Sequence, residues 1–204
     1  YPQGRYETGP LTVIGGVRME QTKDDLKGNT LETYEEGATL NGVVLDEDTN
    51  VITPFSTKKD YTDWLPSVNV KYQASETVIL RGGVFASIVR PGIGKLAPRF
   101  LIEQNDDDER EGEFGNPDLD PYHAWNADIS AEYYFAPGGV IQVGAFYKDI
   151  EDFIVDQNLD VPGIYRGIAY DEATIAINGD TAKVKGVEFN YQQALDFLPG
   201  LFDG

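Results

Sequence analysis

The chain has 204 residues, with 35 acidic and 16 basic side chains, a net charge of −19, no cysteine and one histidine. The lack of cysteine excludes disulfides and thiolate metal sites, and the acidic balance argues against nucleic acid as a partner, because phosphate would be repelled. No run of about 20 apolar residues is present, which excludes a transmembrane helix but not a membrane-crossing strand, which needs only about 9–11 residues. The length suits one domain. The start at Tyr1 shows no basic segment followed by an apolar core, so no signal peptide can be read, and the chain reads as a fragment.

Taken in order, about six stretches alternate apolar and polar residues with the period of a strand. The first covers 9–23, with Leu11, Val13, Gly15, Val17 and Met19 on one face and Thr12, Arg18, Glu20 and Thr22 on the other. After a long link, the second covers 60–73. Trp64, Pro66, Val68, Val70 and Tyr72 face one way, and Asp63, Ser67, Asn69, Lys71 and Gln73, joined by Leu65, face the other. Ala74–Thr77 reads as a tight turn into the third stretch, 78–90, where Val78, Leu80, Val84, Ala86 and Ile88 oppose Arg81, Gly83, Phe85 and Ser87.

A second long link, 91–120, carries the acidic run Asp106–Glu111. The fourth stretch, 121–135, sets His123, Trp125, Ile129, Tyr133 and Phe135 against Asn126, Asp128, Ser130 and Glu132. Pro137-Gly138-Gly139 supplies a turn, since glycine accepts the positive φ that short hairpins need. The fifth stretch, 140–154, loses its alternation after Tyr147. A third link, 155–179, precedes the sixth, 181–195, where Val187, Phe189 and Tyr191 oppose Glu188, Asn190 and Gln192. Pro199-Gly200 reads as a further turn.

Short turns therefore alternate with long links, and most of the acidic residues fall in the links, which marks that side as water-facing. Tyr61, Trp64, Tyr122 and Trp125 lie near the long-link ends of their stretches, and Tyr72, Tyr133, Phe135 and Tyr191 near the short-turn ends. Two aromatic bands with Val, Ala and Ile between them match the girdles of a bilayer-spanning barrel. The predicted fold is all-β, an antiparallel up-and-down meander whose apolar face meets lipid while its polar face looks into a lumen. A soluble β-sandwich also alternates, and would bury Val13, Val70, Val84, Ile129 and Val143 beneath a second layer. A meander with open edges should appear as a curved, incomplete sheet rather than a closed cylinder.

Several short motifs add a resemblance. Gly16–Thr22, Tyr61-Thr62-Asp63-Trp64-Leu65-Pro66-Ser67, Leu80-Arg81, Arg90-Pro91 through Leu96-Ala97-Pro98, Gly115-Asn116-Pro117-Asp118-Leu119, Phe146–Ile150 and Lys185–Glu188 follow one another at spacings that resemble the later barrel strands of TonB-dependent outer-membrane receptors. The resemblance spans nearly the whole chain apart from the link interiors, and the wording is most similar to the subgroup common in Xanthomonas- and Caulobacter-like bacteria. It implies that residues 1–204 are part of a single barrel domain of about 22 strands closed by a plug, with roughly six strands supplied here. It further implies the outer membrane of a Gram-negative bacterium as location, with lipid, lipopolysaccharide, the plug domain and TonB as partners. The implied function is TonB-coupled uptake of a small nutrient ligand, an oligosaccharide or a siderophore, with no cofactor and no catalysis. A plugless passive channel or adhesin barrel, and a soluble secreted polymer-binding sandwich, are the alternatives.

Strand parity places Arg18, Glu20, Asn69, Lys71, Arg81, Asn126, Asp128, Glu132, Glu188 and Asn190 on the polar face, as groups that touch a plug or solvate a substrate, or as ordinary cross-strand ladders. Tyr34, Phe55, Phe100, Phe114, Tyr165 and Tyr170, in the long links, are the aromatic candidates for ligand contact, because binding residues concentrate on loops carried by rigid scaffolds. Asp106–Glu111 lacks the spacing and turning glycine of a calcium loop and reads as a solvated segment, with no metal assigned. His123 falls on the lipid-facing parity and is expected to pack at the interface. Gly92-Ile93-Gly94-Lys95 lacks the spacing of a phosphate loop. Acidic residues are too numerous for any pair to indicate glycosidase chemistry.

Overall fold

A computed structural model of the chain describes residues 1–97, 99–104 and 109–194. Seven strands form the wall: β1 (Gln3–Thr8), β2 (Leu11–Tyr34), β5 (Thr49–Gln73), β6 (Val78–Val89), β9 (Tyr122–Ala136), β10 (Gly139–Glu151) and β15 (Thr181–Gln192). The intervening labels belong to the links: β3 (Thr39–Leu40), β4 (Val43–Val44), helix α1 (Ile93–Leu96), β7 (Phe100–Gln104), β8 (Arg110–Phe114), β11 (Ile154–Leu159), β12 (Gly163–Tyr165), β13 (Ile168–Tyr170) and β14 (Glu172–Asn178). The six expected stretches are all strands of the wall, and β1, too short to show alternation, precedes them.

All wall pairings are antiparallel between chain neighbours, in the order β1-β2-β5-β6-β9-β10-β15. The sheet curls into half a barrel. Among the described residues β15 pairs only with β10, so the cylinder stays open as expected. The turn end is made of Gly9-Pro10, Ala74–Thr77 and Pro137-Gly138. Gly9 (φ 52°) and Gly138 (φ 70°) take the left-handed backbone that such turns require, and the Ser75 hydroxyl accepts the Thr77 and Val78 amides at 3.2 and 3.1 Å. Pro199-Gly200 lies outside the described residues.

The convex face is apolar and uncovered. Trp64 is 65% exposed, Ile129 67% and Val187 75%, and Val70, Val84 and Val143 are also exposed, with Val13 half-buried. Among the described residues no second layer lies over these side chains, which removes the sandwich reading. At the turn end Ile141 stands opposite both Tyr133 and Tyr191, and Phe135 stacks on Tyr191 at 5.9 Å, one band of the double girdle. Among the described residues no helix is long and apolar enough to cross a membrane.

The first stretch does not end at residue 23. β2 and β5 stay paired from Leu11↔Tyr72 to Tyr34↔Thr49, so most of the first link is strand. Alternation of hydrophobicity stops after residue 23, while backbone hydrogen bonding needs no apolar side chain to continue. Above that level the ladder carries polar pairs such as Lys58–Asp25 at 3.2 Å.

The second and third links also contain strands. β7 pairs with β8, β8 with β14 in parallel, β14 with β11, and β7 joins the upper part of β2 in parallel at Thr30↔Phe100. The buried apolar clusters of the molecule sit here rather than in the wall. One gathers Phe100, Ile102, Phe114, Ile168, Ala173 and Ile175, and the other Leu96, Leu119 and Ala176 against Leu26 and Ile154. The wall is a single curved layer, and among the described residues nothing packs over its apolar face to form a core there.

Candidate functional site: a charged lumen wall beneath a folded cap

Parity delivers the polar side chains to the concave face, where Asn69, Lys71, Arg81, Asn126, Asp128, Lys148 and Glu188 line a depression of about 830 Å³. Its floor is low because glycines face it: an added Cβ at Gly83 would lie 2.9 Å from Asn69 Oδ1. Arg81 holds Glu132 with two bonds, Nε to Oε1 at 2.6 Å and Nη2 to Oε2 at 3.3 Å, and Tyr134 donates its hydroxyl to the same carboxylate at 2.9 Å. Lys71 stands directly opposite Arg81, so two cations adjoin and the Glu132 carboxylate offsets their repulsion. Asn126 donates to the Phe85 carbonyl at 3.2 Å and the Ser87 hydroxyl at 3.0 Å.

Toward the loop end, Glu20 accepts from Arg18 at 2.8 Å and Arg90 at 2.5 Å, and Arg90 also reaches Thr22 at 3.0 Å. Parity misses Arg90, because β6 ends at Val89 and the next side chain is no longer bound by alternation. Arg5 and Glu7, an ion pair on β1, join the depression unforeseen for want of a recognisable strand. Glu188 and Asn190 border a second, smaller hollow with Gln142 and Gly144.

The His123 ring does not pack as an interfacial aromatic. Its Nε2 lies 2.8 Å from Asp63 Oδ1, and Nδ1 lies 4.0 Å from Asp152 Oδ2. The reason is local: Asp63 is buried, its other oxygen Oδ2 has no partner, and the imidazole is the polar group in reach. Parity could not show this, since it carries no information about contacts that reach past the adjacent strand, here from β9 to β5.

Above the lumen, five of the six aromatic residues, Phe55, Phe100, Phe114, Tyr165 and Tyr170, come together in the cap. Phe100 meets Phe55 at 5.4 Å, Phe114 at 6.1 Å and Tyr165 at 5.7 Å, and Phe114 stacks on Tyr165 at 5.0 Å and meets Tyr170 edge-on at 5.5 Å. Tyr34 lies apart, under the Arg110 guanidinium at 5.2 Å, and Arg110 pairs with Glu32 at 2.7 Å. Burial, and then the hydrogen bond to Glu32, push the Tyr34 phenol above its ordinary pKa. Phe100 (1% exposed) and Phe114 are interior; Phe55, Tyr34, Tyr165 and Tyr170 are half-buried.

Residues near loop ends that alternation does not reveal hold the cap in place. Lys59 Nζ donates to the carbonyls of Asp118 and Leu119 at 2.7 and 2.9 Å and to Asp120 Oδ1 at 2.7 Å. Asn116 donates to the Ala176 carbonyl at 2.9 Å, and Asn178 to the carbonyls of Asp120 and Asp152. Asp106, Asp107 and Asp108 lie outside the described residues. Among the described residues no group of His, Asp and Glu is arranged to hold a metal ion.

An open, lipid-faced sheet with a charged inner wall and folded loops at one end defines a piece of a transmembrane β-barrel. The chain belongs to the TonB-dependent receptor family: the family described as TonB dependent receptor-like, beta-barrel matches residues 1–203. Among solved structures it is similar to the hemophore receptor HasR of Serratia marcescens, solved with its hemophore HasA and heme, at 16% identity and a TM-score of 0.57 over 89% of this chain and 29% of that one. It is also similar to a mutant of the ferric enterobactin receptor PfeA of Pseudomonas aeruginosa, at 20% identity and 0.57 over 91% and 31%. The siderophore receptor PirA of the same species matches at 18% and 0.52 over 89% and 35%. At these identities the likeness is one of fold, and the chain spans only about a third of those receptors' length. No curated protein sequence matches the chain.

Proposed function

We propose that the intact protein is an active-transport receptor of the Gram-negative outer membrane. It takes up a small nutrient ligand, an oligosaccharide or a ferric siderophore, in a step coupled to TonB. The observation that carries this reading is the pairing of an uncovered apolar convex face with a charged concave wall in a chain of this family. The convex face would be wetted by lipid and, at its loop end, by lipopolysaccharide. The concave wall would face the plug domain, with Arg81, Lys71, Asp128 and Glu188 solvating whatever passes. No covalent chemistry is assigned to any residue.

Ligand contact is placed at the cap and upper lumen. Tyr34, Phe55, Tyr165 and Tyr170 would offer their accessible edges, and Phe100 and Phe114 would act by supporting them. Whole-cell uptake tests the reading: oligosaccharides and ferric siderophores are screened in cells with the receptor, without it, and with the receptor but lacking TonB. Uptake lost in both deletions supports it. Receptor-dependent uptake that survives loss of TonB identifies a passive channel instead. Alanine at all six aromatic positions with binding unchanged removes them from the ligand site.

A further inference from the structure

Loops that gate a barrel mouth are drawn from the least stable part of a structure, with few buried apolar contacts and solvent-exposed hydrogen bonds. The second and third links of this chain have the opposite character. They hold the buried apolar clusters of the molecule, including Ile102 at 0% exposure, and they share hydrogen-bond ladders with each other and with the wall strand β2. Gly115 passes so close to Ala97 that an added Cβ would sit 1.8 Å from its carbonyl oxygen, so the stem of the second link is closed backbone to backbone.

The third link is fastened at its tip. Arg166 joins β12 to β13 at φ 48°, a left-handed conformation that is costly for a residue with a side chain. Its guanidinium lies over the rings of Phe55 at 5.1 Å and Tyr165 at 5.7 Å and pairs with Asp118. Phe55 belongs to β5, and the backbone of Asp118 is held by Lys59 of the same strand. Both halves of the Arg166 seat are therefore built on one wall strand. A planar cation that stacks and bonds at once suits arginine and not lysine.

We infer that the described parts of the second and third links, from α1 to β8 and from β11 to β14, form one prefolded lid, fixed to the β2–β5 hairpin rather than gating freely, with Arg166 as the pin that holds the β12–β13 hairpin down. This holds whether or not the intact protein is a transporter.

The test uses the full-length receptor in lipid nanodiscs, with nitroxides on Ile52→Cys and Ile164→Cys, both exposed and outside the pin, and pulsed electron-resonance distances as readout. The expected result is one narrow distance population in the parent. Arg166→Gly keeps the left-handed backbone unstrained and removes only the side chain, so a second, longer population should appear. Arg166→Lys should fall between the two. A broad distribution in the parent would overturn the fixed lid, and an Arg166→Gly distribution indistinguishable from the parent would overturn the pin. Hydrogen exchange guards against a misfolded variant: the amides of Ile102 and Ile175 should stay as slow in Arg166→Gly as in the parent. Fast exchange of these amides in the parent counts against the lid.

Discussion

Arg81 reaches diagonally across the β6–β9 ladder, past its direct partner Ser130, to hold Glu132 with two bonds, and the carboxylate is almost completely covered while the guanidinium remains half open to the lumen. The asymmetry decides which partner matters. Removing the arginine strands a covered anion with only the Tyr134 hydroxyl left, whereas removing the carboxylate leaves a cation that water can reach. Arg81→Ala should destabilise the barrel by about 1–3 kcal/mol, the cost of leaving such a group unsatisfied, and Glu132→Gln by less. Denaturant unfolding of the full-length receptor in lipid would measure both, and equal costs would contradict the assignment.

The membrane reading makes opposite demands on adjacent residues. Ile129 and Ser130, successive residues of β9, point to opposite faces of the sheet, and the Ile129 side chain is exposed. Ile129→Arg should cost about 2–4 kcal/mol if it lies near the bilayer midplane, while Ser130→Glu, directly opposite Arg81, should be tolerated in an aqueous lumen. Outer-membrane assembly of the two variants, followed by heat modifiability on gels, distinguishes them. Normal assembly of Ile129→Arg would mean that this face does not meet lipid.

Gly115→Ala tests whether the cap folds around the close approach to Ala97. A methyl group there meets backbone, which cannot rotate away, so the cost should reach about 3 kcal/mol or more. Limited proteolysis should then cut the second link while the wall strands stay intact.

The Tyr34 phenol titrates above its ordinary value in the folded cap. The neutral phenol is favoured by folding, so its contribution is fully present below the unfolded value of about 10 and is lost as pH rises through the higher folded value. Cap stability should fall at alkaline pH, and ultraviolet titration of tyrosinate should show a late-ionising component that loses one tyrosine in Tyr34→Phe. A Tyr34→Phe profile identical to the parent's would disprove this.

Much of the wall was legible in advance. Val68, Val70, Val84, Ile129 and Val187 alternate with Asn69, Arg81, Asp128 and Glu188 because lipid and lumen impose opposite chemistry on the two sides of each strand. The cap was not legible. Phe100, Ile102, Phe114 and Ile175 lie in segments too short to show a period, and their partners are far along the chain, as in the parallel pairing of Thr30 with Phe100. Arg90 and His123 escaped for a related reason: at strand ends a side chain can reach past the adjacent strand, here to Glu20 and Asp63 two strands away, which a one-dimensional pattern does not contain.

By itself, then, the sequence determined that this protein is a sheet with one apolar and one polar face, because a two-residue period is a local property that the surroundings of each face write directly into the chain. Tertiary structure alone decided that the long links fold into a cored lid on the β2–β5 hairpin, with Lys59 and Arg166 holding it. Burial there depends on which distant segments meet, and only the folded backbone brings them together.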